Sequence, residues 1–310
     1  MLDVLIALVP ALVWGVFQFG WRALSVTVLS VLSCVLFEAL FQKICRRDVT
    51  IADLSAAVTG VLFAFTLPVG VSYVLVVLGA FFAMVIVKGL FGGLGKNIVN
   101  PALAARIFLF ISFPGQMTEF TPAGVRLPVF GAFPPDAVTS ATPLASLKSG
   151  LLPTETVPNL LFGANAGCIG EVSALLLLAG GLYLVVRRVI DPTLPLSCLA
   201  AVALIAYFFP QGGAEPVDFM LSELFSGGLV LGAVFMATDY VTSPATRTGR
   251  AIYGALIGLI SMFIRYFGGY PEGVSFAILI MNLFVYYLDR YTRPKPFGTG
   301  GKSHDKEKTV

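Results

Sequence analysis

Residues 136–148 read DAVTSATPLASLK, with hydroxyls at Thr139, Ser140, Thr142 and Ser146, a carboxylate at Asp136 and a proline at 143. Short hydroxyl and acid side chains in such a run accept hydrogen bonds from backbone amides in turns and helix starts, or are themselves modified through oxygen. Thr142-Pro143 fits the first role. Threonine is a good N-cap, proline suits the first helical position, and PLASLKS follows as a short helix. The second role is compatible with it, because a helix start offers free N–H groups and partial positive charge to a phosphate bonded at Thr142. DYVTSPATRTG at 239–249 is a near copy, but Pro244 separates serine from alanine and displaces Thr246 by one position. That stretch is expected to be the end of a span at Asp239 and a proline-defined turn.

Few other groups could do chemistry. Cys34, Cys45, Cys168 and Cys198 are widely spaced with no C-x-x-C, which argues against iron–sulfur, zinc or a disulfide framework. They read as small apolar side chains within helices. His304 is the single histidine and lies in a polar tail, so a histidine metal cluster is excluded. GGLGKN at 92–97 lacks the Ser/Thr that must follow Gly-Lys in a phosphate loop, and is expected to join packed helices. Glu38, Lys88, Arg106, Glu171, Asp239 and Asp289 lie in or beside apolar runs, where charge is costly. Those near span ends are expected to reach the interface. Glu171 and Asp239 are the better candidates for the interior.

The elements that must position these groups are membrane helices. The chain has 310 residues, 57% hydrophobic and 12% charged, against roughly a quarter charged in soluble domains. Its mean hydropathy is +0.90. Apolar runs cover 2–18, 22–42, 53–68, 71–91, 101–113, 167–187, 193–210, 219–237, 250–267 and 273–289. Ten spans result, and the short runs 53–68 and 101–113 are candidates for broken helices packed inside protein. No cleavable signal is evident at the N-terminus. With that end inside, 16 lysines and arginines fall on the cytoplasmic side, Lys88 and Arg106 included, and four outside: Arg22, Arg126, Lys148 and Arg265. The bias places both termini in the cytoplasm and residues 114–166 outside. The net charge of +3 follows this distribution and gives no reason to expect nucleic acid.

GVLFAFTLPVG at 60–70 resembles GAVFMATDYVT at 232–242, and FGGLGKNIVNPALAARIFLF at 91–110 resembles FGGYPEGVSFAILIMNLF at 267–284. The offsets, 172 and 176 residues, are nearly in step. Five spans per unit give opposite orientations, so the expected fold is an all-α integral membrane protein of about ten transmembrane helices in two inverted five-helix repeats. Residues 1–298 form the membrane domain, with repeat one at about 1–113, the outer loop at 114–166 and repeat two at 167–298. Residues 299–310 are expected to be a disordered cytoplasmic tail.

DAVTSAT fits the pattern Asp, two variable residues, Ser/Thr, a small residue, Ala, Thr. It resembles the flavinylation site of the RnfD and NqrB family of membrane redox subunits. Ser140 stands where glycine is common in that pattern. FGGLGKNIVNPALAARIFLF, FMATDYVTSPATRTGR, GGYPEGVSFAILIMNLF and the opening DVLIALVPALVWGVFQFGWRAL resemble the same family, so the likeness covers nearly the whole chain. FGWRAL and RYTRPKPFG, with the lack of a long N-terminal extension, favour the RnfD branch over NqrB. The resemblance implies FMN bonded through its phosphate to Thr142, with Asp136, Thr139, Ser140 and Ala141 completing the motif read by the flavin transferase ApbE. A noncovalent riboflavin is a second cofactor it allows, and the 92–97 loop is one place to help hold it.

The function implied is electron transfer in a redox-driven Na⁺- or H⁺-translocating ferredoxin:NAD oxidoreductase in the bacterial cytoplasmic (inner) membrane. The implied partners are RnfA, RnfB, RnfC, RnfE and RnfG, with membrane lipid around the helices. The chain alone has neither a nicotinamide site nor iron–sulfur ligands, so it is not expected to be active in isolation. The alternatives are an NqrB-type subunit of a Na⁺-translocating NADH:quinone reductase, a solute or ion transporter without a redox cofactor, or a scaffold for neighbouring subunits.

Overall fold

The computed structural model describes residues 1–93, 95–130, 142–153, 156–163, 165–171 and 173–294. Asp136, Thr139, Ser140, Ala141 and the expected tail at 299–310 lie outside the described residues. Among the described residues the chain is all helix and loop. The first unit comprises α1 (Leu2–Phe19), α2 (Trp21–Ile44), α3 (Ser55–Phe65), α4 (Tyr73–Phe81, continued as a π-helix over Phe82–Gly89) and α5 (Pro101–Ser112). Three short helices follow: α6 (Pro114–Thr118), α7 (Pro143–Lys148) and α8 (Val157–Phe162). The second unit comprises α9 (Ala174–Val186), α10 (Thr193–Phe208), α11 (Pro216–Phe225), α12 (Leu229–Leu231, continued as a π-helix over Gly232–Met236), α13 (Arg247–Phe267) and α14 (Val274–Thr292).

Four helices, α1, α2, α13 and α14, are each long and apolar enough to cross a membrane. The pair α11–α12 passes the same test as one span bent by 61°. The other apolar helices are 10–17 residues long. The expected run 219–237 is therefore broken. Gly227 takes φ +68°, a conformation that costs glycine little, and the helix changes direction there. The expected run 167–187 is helical only from Ala174. Before it, the Ile169 and Gly170 amides donate to the Leu67 and Phe65 carbonyls at 3.0 and 2.9 Å. Gly170 lies against the Phe65 side chain where a Cβ would collide, so this turn packs onto α3 only with glycine there. The run 53–68 is helix only over Ser55–Phe65, and Leu67, Val69 and Val71 continue as buried non-helical backbone. Non-helical backbone at such depth needs protein partners, and these amide pairings supply some of them.

Glycine sets the closest helix contacts. A Cβ at Gly60 of α3 would lie 2.7 Å from the Val31 Cα of α2, and the Ser30 hydroxyl donates to the Gly60 carbonyl at 2.7 Å. A Cβ at Gly258 of α13 would lie 2.7 Å from the Cys198 carbonyl oxygen of α10. Apolar lipid gives helices little hydrophobic reason to associate, so close backbone approach is what joins them. Cys34, Cys168 and Cys198 are buried and Cys45 is exposed; all four are free. Cys45 and Cys168 are not in helices, contrary to expectation: Cys45 is in the turn that follows α2, and Cys168 lies in the segment before α9.

Candidate functional site

Thr142 is the N-cap of α7. Its side-chain oxygen accepts from the Ala145 amide at 3.3 Å, and Pro143 holds the first helical position. The side chain is partly exposed while Pro143, Leu144 and Leu147 are buried. A cap of this kind uses an acceptor lone pair of the oxygen and leaves the O–H unused. Thr246 caps one helix and joins it to another. It caps α13 through the Gly249 amide at 3.0 Å, and its hydroxyl bonds that of Thr292 at 2.6 Å.

Short as it is, α7 is fixed at both ends to the second unit. Leu144 lies against Gly227 at the break between α11 and α12. Lys148 donates from Nζ to the Gly268 carbonyl at 2.5 Å, just past α13. Around the same break is a group of buried charges. Arg265 donates to the Glu223 carboxylate at 2.5 Å and to the Ser226 carbonyl at 3.2 Å. Arg106 of α5 binds the Glu272 carboxylate and faces Glu171 Oε1 at 3.5 Å. The Gly228 amide donates to Glu272 Oε1 at 3.3 Å. The residue that carries the expected modification thus belongs to a helix seated on a broken span wrapped in charge.

Another buried pair lies within the first unit. Lys88 Nζ is 2.6 Å from Glu38 Oε1 and donates to the Ser55 hydroxyl at 2.6 Å. Glu38 Oε2 has no hydrogen-bond partner among the described residues. Lys88 also lines a cavity between the units, with Ser55, Asn100, Thr238 and Asp239. Asp239 accepts from the Val241 amide at 3.5 Å and the Thr242 hydroxyl at 3.3 Å. Asp289 sits at the end of α14, where it accepts from the Ala245 amide at 2.9 Å.

These placements correct several expectations. Lys88 and Arg106 do not reach an interface; both are buried and paired, as are Glu38 and Glu171. Arg22 and Arg265, expected as outer-loop cations, are 4% and 3% exposed. Arg22 donates to the Val69 and Val71 carbonyls at 3.0 and 3.1 Å and to the Pro128 carbonyl at 3.1 Å, tying the loop after α6 to the non-helical segment after α3. Sequence reasoning missed Glu223 and Glu272, and missed that Arg265 is paired. Their only sequence signal is a charge within, or just beyond, an apolar run, without the partner that pairs it.

The family model described as the NQR2, RnfD, RnfE family matches residues 1–298. The chain belongs to the NQR2, RnfD, RnfE family. Its relatives include the D subunit of the Na(+)-translocating ferredoxin:NAD(+) oxidoreductase complex of Acetobacterium woodii, 45% identical over 303 residues, spanning 96% of this chain and 90% of that one. The D subunit of the proton-translocating ferredoxin:NAD(+) oxidoreductase complex of Clostridium ljungdahlii is 40% identical over 314 residues, spanning 96% and 91%. The D subunit of the ion-translocating oxidoreductase complex of Aliivibrio salmonicida is 37% identical over 324 residues, spanning 95% and 92%. These relatives form the RnfD branch that the sequence resembles, and the family match covers both helical units and the segment between them.

Proposed function

We propose that the chain is the membrane electron-transfer subunit of an ion-translocating ferredoxin:NAD oxidoreductase, carrying FMN as a phosphodiester on Thr142. Whole-length similarity to the D subunits of such complexes supports the assembly. The observation that carries the cofactor reading is the geometry of Thr142. Its hydroxyl is partly exposed, and the cap uses an acceptor position that remains after the O–H is esterified. A phosphate ester and the α7 cap are therefore compatible on the same oxygen. When bound, FMN supplies a carrier that accepts and passes on electrons. The chain supplies the tether, and the seating of α7 on Gly227 and Gly268 fixes where that tether starts.

The same reading places ten spans, as two inverted five-helix units, in the bacterial inner membrane, with both termini cytoplasmic and the Thr142 loop outside. ApbE attaches the flavin there, with Asp136, Thr139, Ser140 and Ala141 as the recognised residues. RnfA, RnfB, RnfC, RnfE and RnfG provide the remaining steps, and a noncovalent riboflavin is a second carrier. Relatives at 45% and 40% identity are named for Na⁺ and for protons respectively.

The test is in-gel flavin fluorescence of the denatured chain co-expressed with ApbE. Fluorescence is expected in wild type and Thr246→Ala and is expected to be lost in Thr142→Ala. A dark wild-type band beside a labelled control protein would return 136–148 to a capped turn and favour a transporter without a redox cofactor.

A further inference from the structure

Among the described residues, three groups set a buried cation against carboxylates, and they differ in balance. Lys88–Glu38 and Arg265–Glu223 are one cation to one anion. Arg106 faces two carboxylates, Glu171 and Glu272. The other charged or titratable groups packed around it are accounted for. Arg265 is engaged by Glu223, Lys148 is turned to the Gly268 carbonyl, and Cys168 contributes a thiol 3.9 Å from Arg106. The group therefore carries one negative charge more than it can match. A buried, unmatched carboxylate binds a cation or a proton sooner than it stays charged.

The geometry indicates which. Glu171 is 7% exposed, and its Oε1, 3.5 Å from Arg106, has no hydrogen-bond partner among the described residues. Gly228 marks where that oxygen points. A Cβ built there would lie 2.9 Å from Glu171 Oε1 and 2.5 Å from Glu272 Oε1. Two carboxylate oxygens thus converge over a glycine, in a space that any side chain would fill. Groups of three or more acids, histidines or cysteines that could hold a metal ion are absent among the described residues. Two carboxyls converging on one gap suit a shared proton, whereas a sodium or calcium ion requires a shell of oxygens. The Glu272 side chain is 16% exposed, so the pair is not sealed within this chain.

We propose that Glu171 and Glu272 form a proton-binding site that holds one proton between them at neutral pH, with Arg106 matching the remaining charge. The balance is simple: one carboxylate takes one proton from water, becomes a neutral carboxylic acid and donates to the other. The site does not depend on the flavin reading. It does lie at the break on which the Thr142 helix rests, through Leu144 on Gly227 and the Gly228 amide on Glu272.

Infrared difference spectroscopy on the purified complex tests this, comparing wild type with Glu171→Gln, Glu272→Gln and Glu223→Gln at neutral pH in H₂O and D₂O. The wild type should show a carboxylic-acid carbonyl band that shifts in D₂O. Either Glu171→Gln or Glu272→Gln alone should abolish it, because the surviving carboxylate is then matched one to one by Arg106 and ionises. Glu223→Gln should leave it. Gly228→Ala places a methyl group in the gap and should move the band, which serves if a glutamine variant fails to assemble. A band that survives both single variants, a band displaced by sodium ions at constant pH, or a Gly228→Ala spectrum identical to wild type would each overturn the proposal.

Discussion

Lys88 shows what a single buried charge demands. It is 2% exposed and pairs with Glu38, fifty positions earlier. Removing one partner of a buried pair strands the other and costs about 3–5 kcal/mol, whereas removing both with residues of similar shape costs much less. Lys88→Met is therefore expected to lower the melting temperature in detergent sharply, and the double variant with Glu38→Gln should recover most of the loss. If the double variant is as unstable as the sum of the singles, the pair is not what holds α2 to α4. A milder case lies in the loop before α10. The Thr193 hydroxyl and amide, then Arg250 and Arg247, hold the Asp191 carboxyl below its ordinary value. A depressed carboxylate adds stability above its unfolded pKa and loses it as pH falls through the folded value. The stability gap between wild type and Asp191→Asn should accordingly be present at neutral pH and vanish in acid. The sequence reveals such residues only in part. It shows that Lys88 and Arg106 border apolar runs, but a hydropathy pattern holds no record of a facing helix. Interface and interior therefore read alike until Glu38 and Glu272 are seen opposite them.

At the scale of elements, glycine decides both contact and break. Gly60→Ala would push its Cβ to 2.7 Å from the Val31 Cα, and backbone cannot give way as a side chain can. Overpacking of this kind costs about 1–3 kcal/mol, so α2 and α3 should separate and the melting temperature should fall. An unchanged melting temperature would mean that the two helices have room to spare. The breaks were only half legible. The run 219–237 reads as one apolar span because Ser226, Gly227 and Gly228 interrupt its hydropathy too little. The bend needs the φ +68° of Gly227, and nothing local to the sequence demands it. The run 167–187 is similar. Its first residues are apolar because they pair with the segment after α3, and the reason for their burial is a partner about a hundred residues away. By contrast, the cap at Thr142-Pro143 was legible, and it starts α7 as its local chemistry dictates.

For the whole molecule, family membership and helical class follow from the sequence, because an apolar composition and long shared stretches survive any detail of packing. Orientation depends on the distribution of basic residues. Taking buried Lys88, Arg106, Arg22 and Arg265 out of the tally removes two from each side, so the bias toward the inside grows. Cys45, the one exposed cysteine, follows α2 on the side assigned to the cytoplasm. A membrane-impermeant maleimide should label it in inverted vesicles and spare it in right-side-out vesicles. Labelling from the outer face would reverse the orientation and remove Thr142 from the side where the transferase acts. The FMN itself is most directly tested by peptide mass spectrometry of the complex from its native membrane. The peptide spanning 136–148 should carry the mass of an FMN ester, with fragmentation locating it on Thr142. The same peptide recovered wholly unmodified from an active complex would contradict a flavin-bearing role for this chain.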